Sequence, residues 1–108
     1  MNLPTEIFGD VVVVHTPDDI NESFAENFTA FLASLDQNKV IVDLDSSESF
    51  KSEGLEALLD AQDALRLTQG DLKVMTGSHV NRKILEITRL DLQLEVFDSV
   101  IDAVKSFV

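Results

Sequence analysis

The chain has 108 residues and a mass of 12.0 kDa, which is one domain's worth of sequence. Its 8 basic and 20 acidic side chains give a net charge of −12, which argues against binding to DNA, RNA or an anionic membrane surface and favours a protein partner with a basic patch. Because cysteine is absent, disulfides, zinc–thiolate sites and cysteine nucleophiles are excluded.

The N-terminal residues and the apolar runs predict neither a targeting segment nor a membrane-spanning one. Residues 1–6 lack the basic start and the apolar stretch of a signal peptide. No apolar run is longer than Val11–Val14, whereas a helix that crosses a bilayer needs roughly 20 apolar residues. We therefore expect a cytoplasmic protein with a single domain over residues 1–108.

The first third of the chain predicts two strands followed by a helix. Val11–His15 is a continuous β-branched run, which indicates a strand covered on both faces, and Gly9 and Asp10 separate it from a short strand at 6–8. The segment 16–19 then breaks the strand. Apolar side chains at steps of three and four residues form one helical stripe: Phe24, Phe28, Phe31, Leu32 and Leu35.

The middle of the chain predicts a second strand and a second helix. Val40–Leu44 is apolar at nearly every position, and a polar loop follows at 45–49. A helix is expected to begin at Ser52 or Glu53 and to end at a glycine cap, Gly70. Its inner face carries Leu55, Leu58, Leu59 and Leu65.

The last third predicts two further strand–helix units. Leu72–Thr76 is a strand, and the helix that starts near His79 carries Val80, Ile84, Leu85 and Ile87. Leu92–Phe97 alternates between apolar and polar residues, as an edge strand does. An amphipathic helix closes the chain with Val100, Ile101, Val104 and Phe107.

Strands that alternate with single helices predict right-handed crossovers and a mostly parallel sheet. In such sheets functional residues gather at the carboxyl ends of the strands, so the loops at 15–21 and 45–54 are the places to examine. The side chains expected to be largely buried are Val12, Val14, Phe24, Phe28, Phe31, Ile41, Val42, Leu44, Leu55, Leu58, Leu59, Val74, Ile84 and Phe107.

Most enzymatic chemistries find little support in the sequence. The four glycines lack the close spacing of a phosphate-binding loop. Asp43, Asp45 and Glu48 lie at a strand end, but in a chain with 20 carboxylates we interpret them as a solvated face, with acid–base or Mg²⁺ chemistry as the alternative. His15 and His79 lack ligand spacing and are interpreted as packing or surface residues. We expect no cofactor and no metal.

The segment Phe50–Leu55 offers two interpretations. Ser52, or Ser49, would in the simpler one cap the following helix. Alternatively, an exposed Ser52 hydroxyl at a helix N-terminus would be a phosphorylation site, because the free N–H groups and the helix dipole favour added negative charge.

The whole chain resembles the STAS domain, the sulfate transporter and anti-sigma-factor antagonist family, and most closely its small stand-alone bacterial antagonists. The resemblance rests on the element order and on three segments. Residues 18–21 are similar to a Gly-Glu-Leu-Asp-like turn, and residues 51–55 to the motif Asp-Ser-Ser/Thr-Gly-Leu. Residues 78–85 are similar to the helix Ser-Pro-x-Val-x-Arg-x-Leu.

The resemblance implies an α/β fold with a mixed, mostly parallel sheet of about four to five strands and four to five helices. It also implies a regulatory function without catalysis, in which the unmodified domain binds an anti-sigma factor with serine kinase activity, and phosphorylation of Ser52 weakens the complex until a phosphatase resets it. The residues it implicates in partner binding are Asp19, Asn21, Lys51, Ser52, Glu53, Gly54 and Glu56.

Three residues depart from the family pattern. Lys51 stands where the motif has Asp, Glu53 where it has Ser or Thr, and Asn21 where the turn has Asp. Glu53 places a permanent negative charge beside Ser52, whereas the ammonium group of Lys51 would pair with a phosphate there. The alternative function is a STAS subunit that is not phosphorylated and serves as a scaffold in a membrane lipid-transport or signalling complex. The sequence leaves the oligomeric state undetermined.

Overall fold

A five-stranded mixed sheet forms the centre of the structure, a computed structural model that describes residues 1–108. Its strands, in spatial order, are β1 (Thr5–Phe8), β2 (Val11–His15), β4 (Lys39–Asp43), β6 (Asp71–Met75) and β7 (Val96–Phe97). Only β1 runs antiparallel to its neighbour. A separate two-stranded parallel sheet pairs β3 (Asp19–Ile20) with β5 (Ser49–Phe50).

Four helices connect and cover the strands: α1 (Glu22–Ala33), α2 (Ser52–Arg66), α3 (His79–Ile87) and α4 (Val100–Lys105). None of them has both the length and the apolar character that crossing a bilayer requires. The α/β fold class expected from the element order is therefore confirmed, and α2 begins at Ser52 as predicted.

The sheet separates two apolar layers. Val12 and Val14 of β2 face a large core that α1, α2 and α3 cover, while Val11 and Val13 face a smaller one beneath α4. Because all four valines are buried, the interpretation of this run as a strand covered on both faces is confirmed. Ten of the fourteen side chains predicted to be buried are so, but Phe31, Leu59, Ile84 and Phe107 are only half-buried because they lie at the margins of the two layers.

The prediction of a strand over Leu92–Phe97 is wrong for its first four residues. Only Val96 and Phe97 pair with β6, while residues 90–92 form a 3₁₀ turn. The Leu94 N–H donates to the Leu90 carbonyl, so the backbone is turned there instead of extended. The apolar–polar alternation that indicated a strand instead leaves Leu92 exposed and Leu94 buried in the core.

The expected glycine cap at Gly70 is also corrected. The left-handed residue that ends α2 is Gln69, with φ of +66°. The N–H groups of Gln69 and Gly70 donate to the carbonyls of Arg66 and Leu65, which is the hydrogen-bond pattern of a Schellman motif. Gly70 is needed for a different reason, since an added Cβ would collide with the backbone of Asn38.

Candidate functional site

The pairing of β3 with β5 brings together the two loops singled out by the sequence. Asp19 lies opposite Ser49, and Ile20 opposite Phe50. The Lys51 N–H then donates to the Ile20 carbonyl over 2.8 Å. The turn before α1 and the N-terminus of α2 are therefore neighbours on one surface, which we call the α2 surface and define by Asp19, Asn21, Lys51, Ser52, Glu53 and Glu56.

Gly54 is buried beneath this surface and packs against the backbone of Ile20. A Cβ at position 54 would stand 2.5 Å from Ile20 Cγ2 and would collide with the Ile20 carbonyl. The glycine therefore offers no side chain to a partner. Its role is to let the first turn of α2 approach β3 closely enough for the two loops to share a surface.

Ser52 is exposed at the first residue of α2, and its side chain does not cap the helix. The N-cap residue is Lys51, which makes no side-chain capping bond. The Ser52 hydroxyl donates to Glu53 Oε1 over 2.9 Å, and Ser49 belongs to β5. The capping interpretation is therefore wrong for both serines, and no side chain occupies the N-terminal amides of α2.

The remaining residues of the α2 surface differ in whether their side chains are already bonded within the protein. Asn21 caps α1, because its Oδ1 accepts from the Phe24 N–H over 3.1 Å. Asp19, Lys51 and Glu56 are exposed and make no ion pair within 4.0 Å. The Asn21 side chain thus accepts a hydrogen bond from one of the free N–H groups at the start of α1. The side chains of Asp19, Lys51 and Glu56 are free to contact a partner.

Acidic side chains dominate the neighbourhood of this surface. Between residues 40 and 65 there are seven carboxylates and a single base, Lys51. Six of the seven are exposed: Asp45, Glu48, Glu53, Glu56, Asp60 and Asp63. The seventh, Asp43, is occupied by a contact with His15. The solvated-face interpretation therefore agrees with the exposure of Glu48, but it is wrong for Asp43, which His15 contacts, and incomplete for Asp45, whose Oδ1 accepts from the Gly77 N–H over 2.7 Å.

His15 bridges two carboxylates, an arrangement that the sequence analysis missed. Its Nδ1 lies 2.8 Å from Asp43 Oδ2, and its Nε2 lies 2.7 Å from Glu6 Oε1. A neutral imidazole has one N–H and can donate to only one of them, so the geometry is that of the imidazolium. Burial alone would lower the pKa of His15, but hydrogen bonds and charges from Glu6 and Asp43 outweigh it and raise that pKa above 6.5.

A signal for this bridge was present in the predicted topology. His15 and Asp43 are the last residues of β2 and β4, and the parallel register pairs them directly. Two polar residues that end neighbouring parallel strands meet at the same edge of the sheet, so a parallel pairing of these two runs would have indicated the contact.

Buried hydrogen bonds fix the loops above the sheet. The hydroxyls of Thr16 and Ser47 are 2.6 Å apart, and Ser47 also donates to the Pro17 carbonyl. From α3, the Asn81 amide donates to the carbonyls of Leu44 and Ser47. Every one of these polar groups is satisfied inside the protein, which holds the loops that carry β3 and β5 in one arrangement.

The family assignment follows from the fold together with the sequence profile. A model of the STAS domain matches residues 2–103. The chain belongs to the STAS domain family. The family resemblance inferred from the sequence is thereby confirmed. No curated protein matches the chain.

Solved structures of STAS proteins share its architecture. An anti-sigma factor antagonist from Mycobacterium paratuberculosis superimposes with a TM-score of 0.81 at 20% identity, over 97% of this chain and 92% of that one. An anti-sigma-factor antagonist (STAS) domain protein from Planctomyces limnophilus gives 0.75 at 22% identity, over 96% of each chain. The Bacillus cell fate determinant SpoIIAA in its phosphorylated form gives 0.70 at 14% identity, over 99% of this chain and 100% of that one. At these identities the likeness establishes the fold.

Proposed function

We propose that this STAS domain is an anti-sigma-factor antagonist that binds an anti-sigma factor with serine kinase activity through the α2 surface, with Ser52 as the phosphorylated residue. The observation that carries the proposal is the exposed Ser52 hydroxyl at the start of α2, which is not used as a cap. The chain acts in this account as an interaction module, and none of its residues is assigned a catalytic role.

A phosphate on Ser52 is compatible with the folded domain. It would add about two negative charges at a helix N-terminus, where the dipole and the free N–H groups favour an anion. Lys51 precedes Ser52 in the chain and is exposed, so its ammonium group would offset part of that charge. Phosphorylation would therefore change the binding surface without unfolding the domain, as a reversible switch requires.

The charge of the surroundings indicates the kind of partner surface that fits. Four exposed carboxylates on α2, those of Glu53, Glu56, Asp60 and Asp63, favour a partner face that is rich in Lys and Arg. A phosphate on Ser52 would lie among these carboxylates. It would have to lose its hydration shell when the partner packs against the α2 surface. The complex would weaken even though the net attraction to basic groups increased at long range.

Glu53 modifies the switch relative to the family motif. Its carboxylate accepts the Ser52 hydroxyl proton in a 2.9 Å hydrogen bond, so the phosphorylated residue would lose this bond and gain a like-charge neighbour. Glu53 thus gives the unphosphorylated domain part of the negative charge that a phosphate on Ser52 would add. We expect Glu53→Ser, which restores the family residue type, to bind the partner more tightly than the natural protein.

The decisive experiment is mass spectrometry of the protein purified from its own host, with and without treatment by the kinase. Trypsin cleavage after Lys51 and Arg66 releases the peptide of residues 52–66, in which Ser52 is the only hydroxyl-bearing residue. A mass increase of one phosphate on this peptide, absent in Ser52→Ala, supports the proposal. A peptide that stays unmodified while the kinase still binds would replace it with the scaffold function.

A further inference from the structure

A groove of ≈ 460 Å³ opens between the C-terminal halves of α1 and α2. The buried side chains of Leu32, Ala61 and Leu65 form its apolar floor. Its walls carry small exposed side chains, Ala33 on α1 and Ala64 on α2, which leave the space above the floor unfilled. We call it the α1–α2 groove and define it by Leu32, Ala33, Leu35, Ala61, Ala64 and Leu65.

Hydrogen bonds and core packing give the groove its shape in the absence of a ligand. Leu32 and Leu65 belong to the large core, so the floor is fixed. At one end, the Asn38 amide donates to the Thr68 carbonyl over 2.7 Å, which ties the segment before β4 to the end of α2. A concave apolar site that is already formed loses little conformational freedom when a ligand enters it.

Acidic side chains flank the groove on both helices. Glu26 lies two helical turns before Ala33 on the same side of α1, and Asp60 lies one turn before Ala64 on α2. Asp36 lines the groove itself. None of these three carboxylates has an ion-pair partner within 4.0 Å. They are therefore free to meet cations of a ligand.

Basic side chains are scarce on the same two helices. Helix α1 has none, and the single base of α2, Arg66, is occupied by Asp71, whose Oδ1 lies 3.0 Å from its Nε. The unpaired charge beside the groove is therefore negative on both helices, which distinguishes it from surfaces of the domain where acids and bases alternate.

The direction of the helices adds to this negative potential. Because β2, β4 and β6 are parallel, α1 and α2 run in the same direction and their C-termini lie at one end of the groove. A helix C-terminus carries a partial negative charge, and the last turn of α1 contains no basic side chain to offset it. Asp36 follows this helix end, so the charge there favours a cation.

We propose that the α1–α2 groove is a second interaction site, which binds a basic amphipathic segment of a partner protein. The apolar side chains of that segment would enter between Ala33 and Ala64, and its Lys and Arg side chains would face Glu26, Asp36 and Asp60. The net charge of −12 favours the approach of such a segment. A second copy of the chain is the less suitable occupant, because it would bring the same negative charge.

The groove is separate from the α2 surface and contains none of its residues. Ser52 begins α2, and Ala64 lies about 18 Å further along the helix axis at 1.5 Å per residue. A partner bound in the groove would therefore leave the N-terminus of α2 accessible. The domain would be able to hold this second partner whether or not Ser52 is phosphorylated.

The test uses a fluorescein-labelled helical peptide of about 15 residues, with leucines on one face and lysines on the other. One matched peptide carries glutamate in place of each lysine, and a second carries alanine in place of each leucine. We expect the leucine–lysine peptide to bind and the other two to bind at least about tenfold more weakly. The amide NMR shifts should change most in residues 32–36 and 61–68.

Groove variants separate this site from general attraction to an acidic protein. Ala64→Leu fills the groove without changing the charge and should weaken peptide binding about tenfold. Ala30→Leu makes the same change at an exposed position of α1 outside the groove and should leave binding unchanged. Asp36→Lys should weaken binding about fivefold, whereas Asp102→Lys, on α4 at the other face of the sheet, should have a smaller effect.

Three results would overturn the proposal. Equal affinities of Ala64→Leu and Ala30→Leu would show that the peptide adheres to the acidic surface by charge alone. Binding of the glutamate peptide as tight as that of the lysine peptide would remove the argument from charge. A dimer of the natural protein that Ala64→Leu dissociates, detected by sedimentation, would assign the groove to a second copy of the chain.

Discussion

Gly54 lies against Ile20 without room for a methyl group between them. Because Ile20 belongs to β3 and Gly54 to the first turn of α2, this contact sets how closely the two loops of the α2 surface approach each other. The family motif places a glycine at this position, and the packing gives a physical reason for it.

We therefore predict that Gly54→Ala destabilises the domain by about 1–3 kcal/mol, the usual cost of overpacking a buried contact. Urea unfolding measures the change. Gly77→Ala is the control, because a Cβ there would meet nothing closer than Asp45 Oδ2 at 3.8 Å. A Gly54→Ala protein as stable as the Gly77→Ala protein would mean that β3 can move away from α2 at little cost.

Phe28 is the central anchor of α1 in the large core. It is fully buried and stacks on Phe24, with ring centroids 4.4 Å apart. We predict that Phe28→Ala lowers the free energy of unfolding by about 3–5 kcal/mol through the lost contacts and the cavity. The half-buried Phe31 gives the comparison, since Phe31→Ala should cost less; a loss below about 1 kcal/mol at Phe28 would contradict the core described above.

The His15 bridge predicts a pH-dependent stability with a defined sign. The folded pKa of His15 is raised above its ordinary value, so the bridge stabilises the fold fully below about pH 6.5 and its contribution is lost as pH rises through the folded pKa. Unfolding free energies of the natural protein and of His15→Gln, measured from about pH 6 to pH 9, should converge as pH rises. A difference that grew with pH would show that the imidazole is held neutral.

Asn21 is expected to stabilise the fold as well as to lie in the binding surface. Its side chain caps α1, so Asn21→Ala should cost about 1 kcal/mol in unfolding free energy. Asn21→Asp keeps a capping oxygen and restores the family residue, and should be nearly as stable as the natural protein. Equal stability of the alanine and aspartate variants, measured by thermal unfolding, would show that the cap contributes nothing.

The sequence predicted the parts of the fold that depend on regular spacing. The valine run of β2, the stripe of phenylalanines on α1 and the start of α2 at Ser52 all carry a strong local pattern, and each appears where it was expected. The half-buried Ile84 could not be foreseen, because periodicity identifies the apolar sides of a helix without showing which side the core covers.

Features set by contacts distant in sequence were missed. The two-residue strands β3 and β5 are too short to show a pattern, and Gln69 adopts a left-handed conformation although the adjacent glycine is the residue type that favours it. Gly70 is instead required by its contact with Asn38 across the fold. The site residues named from the family motif lie together in the structure, but sequence alone did not reveal that Ser52 leaves the helix uncapped.

The affinity of the domain for its kinase partner, measured by calorimetric titration for three proteins, tests the central claim most directly. These are the natural protein, Ser52→Asp and Thr29→Asp, which adds the same charge at an exposed position of α1 beside the C-terminal end of α2. The account predicts that Ser52→Asp weakens binding about tenfold at an unchanged melting temperature, while Thr29→Asp binds normally. Equal affinities for all three proteins would contradict it and would place the partner surface elsewhere.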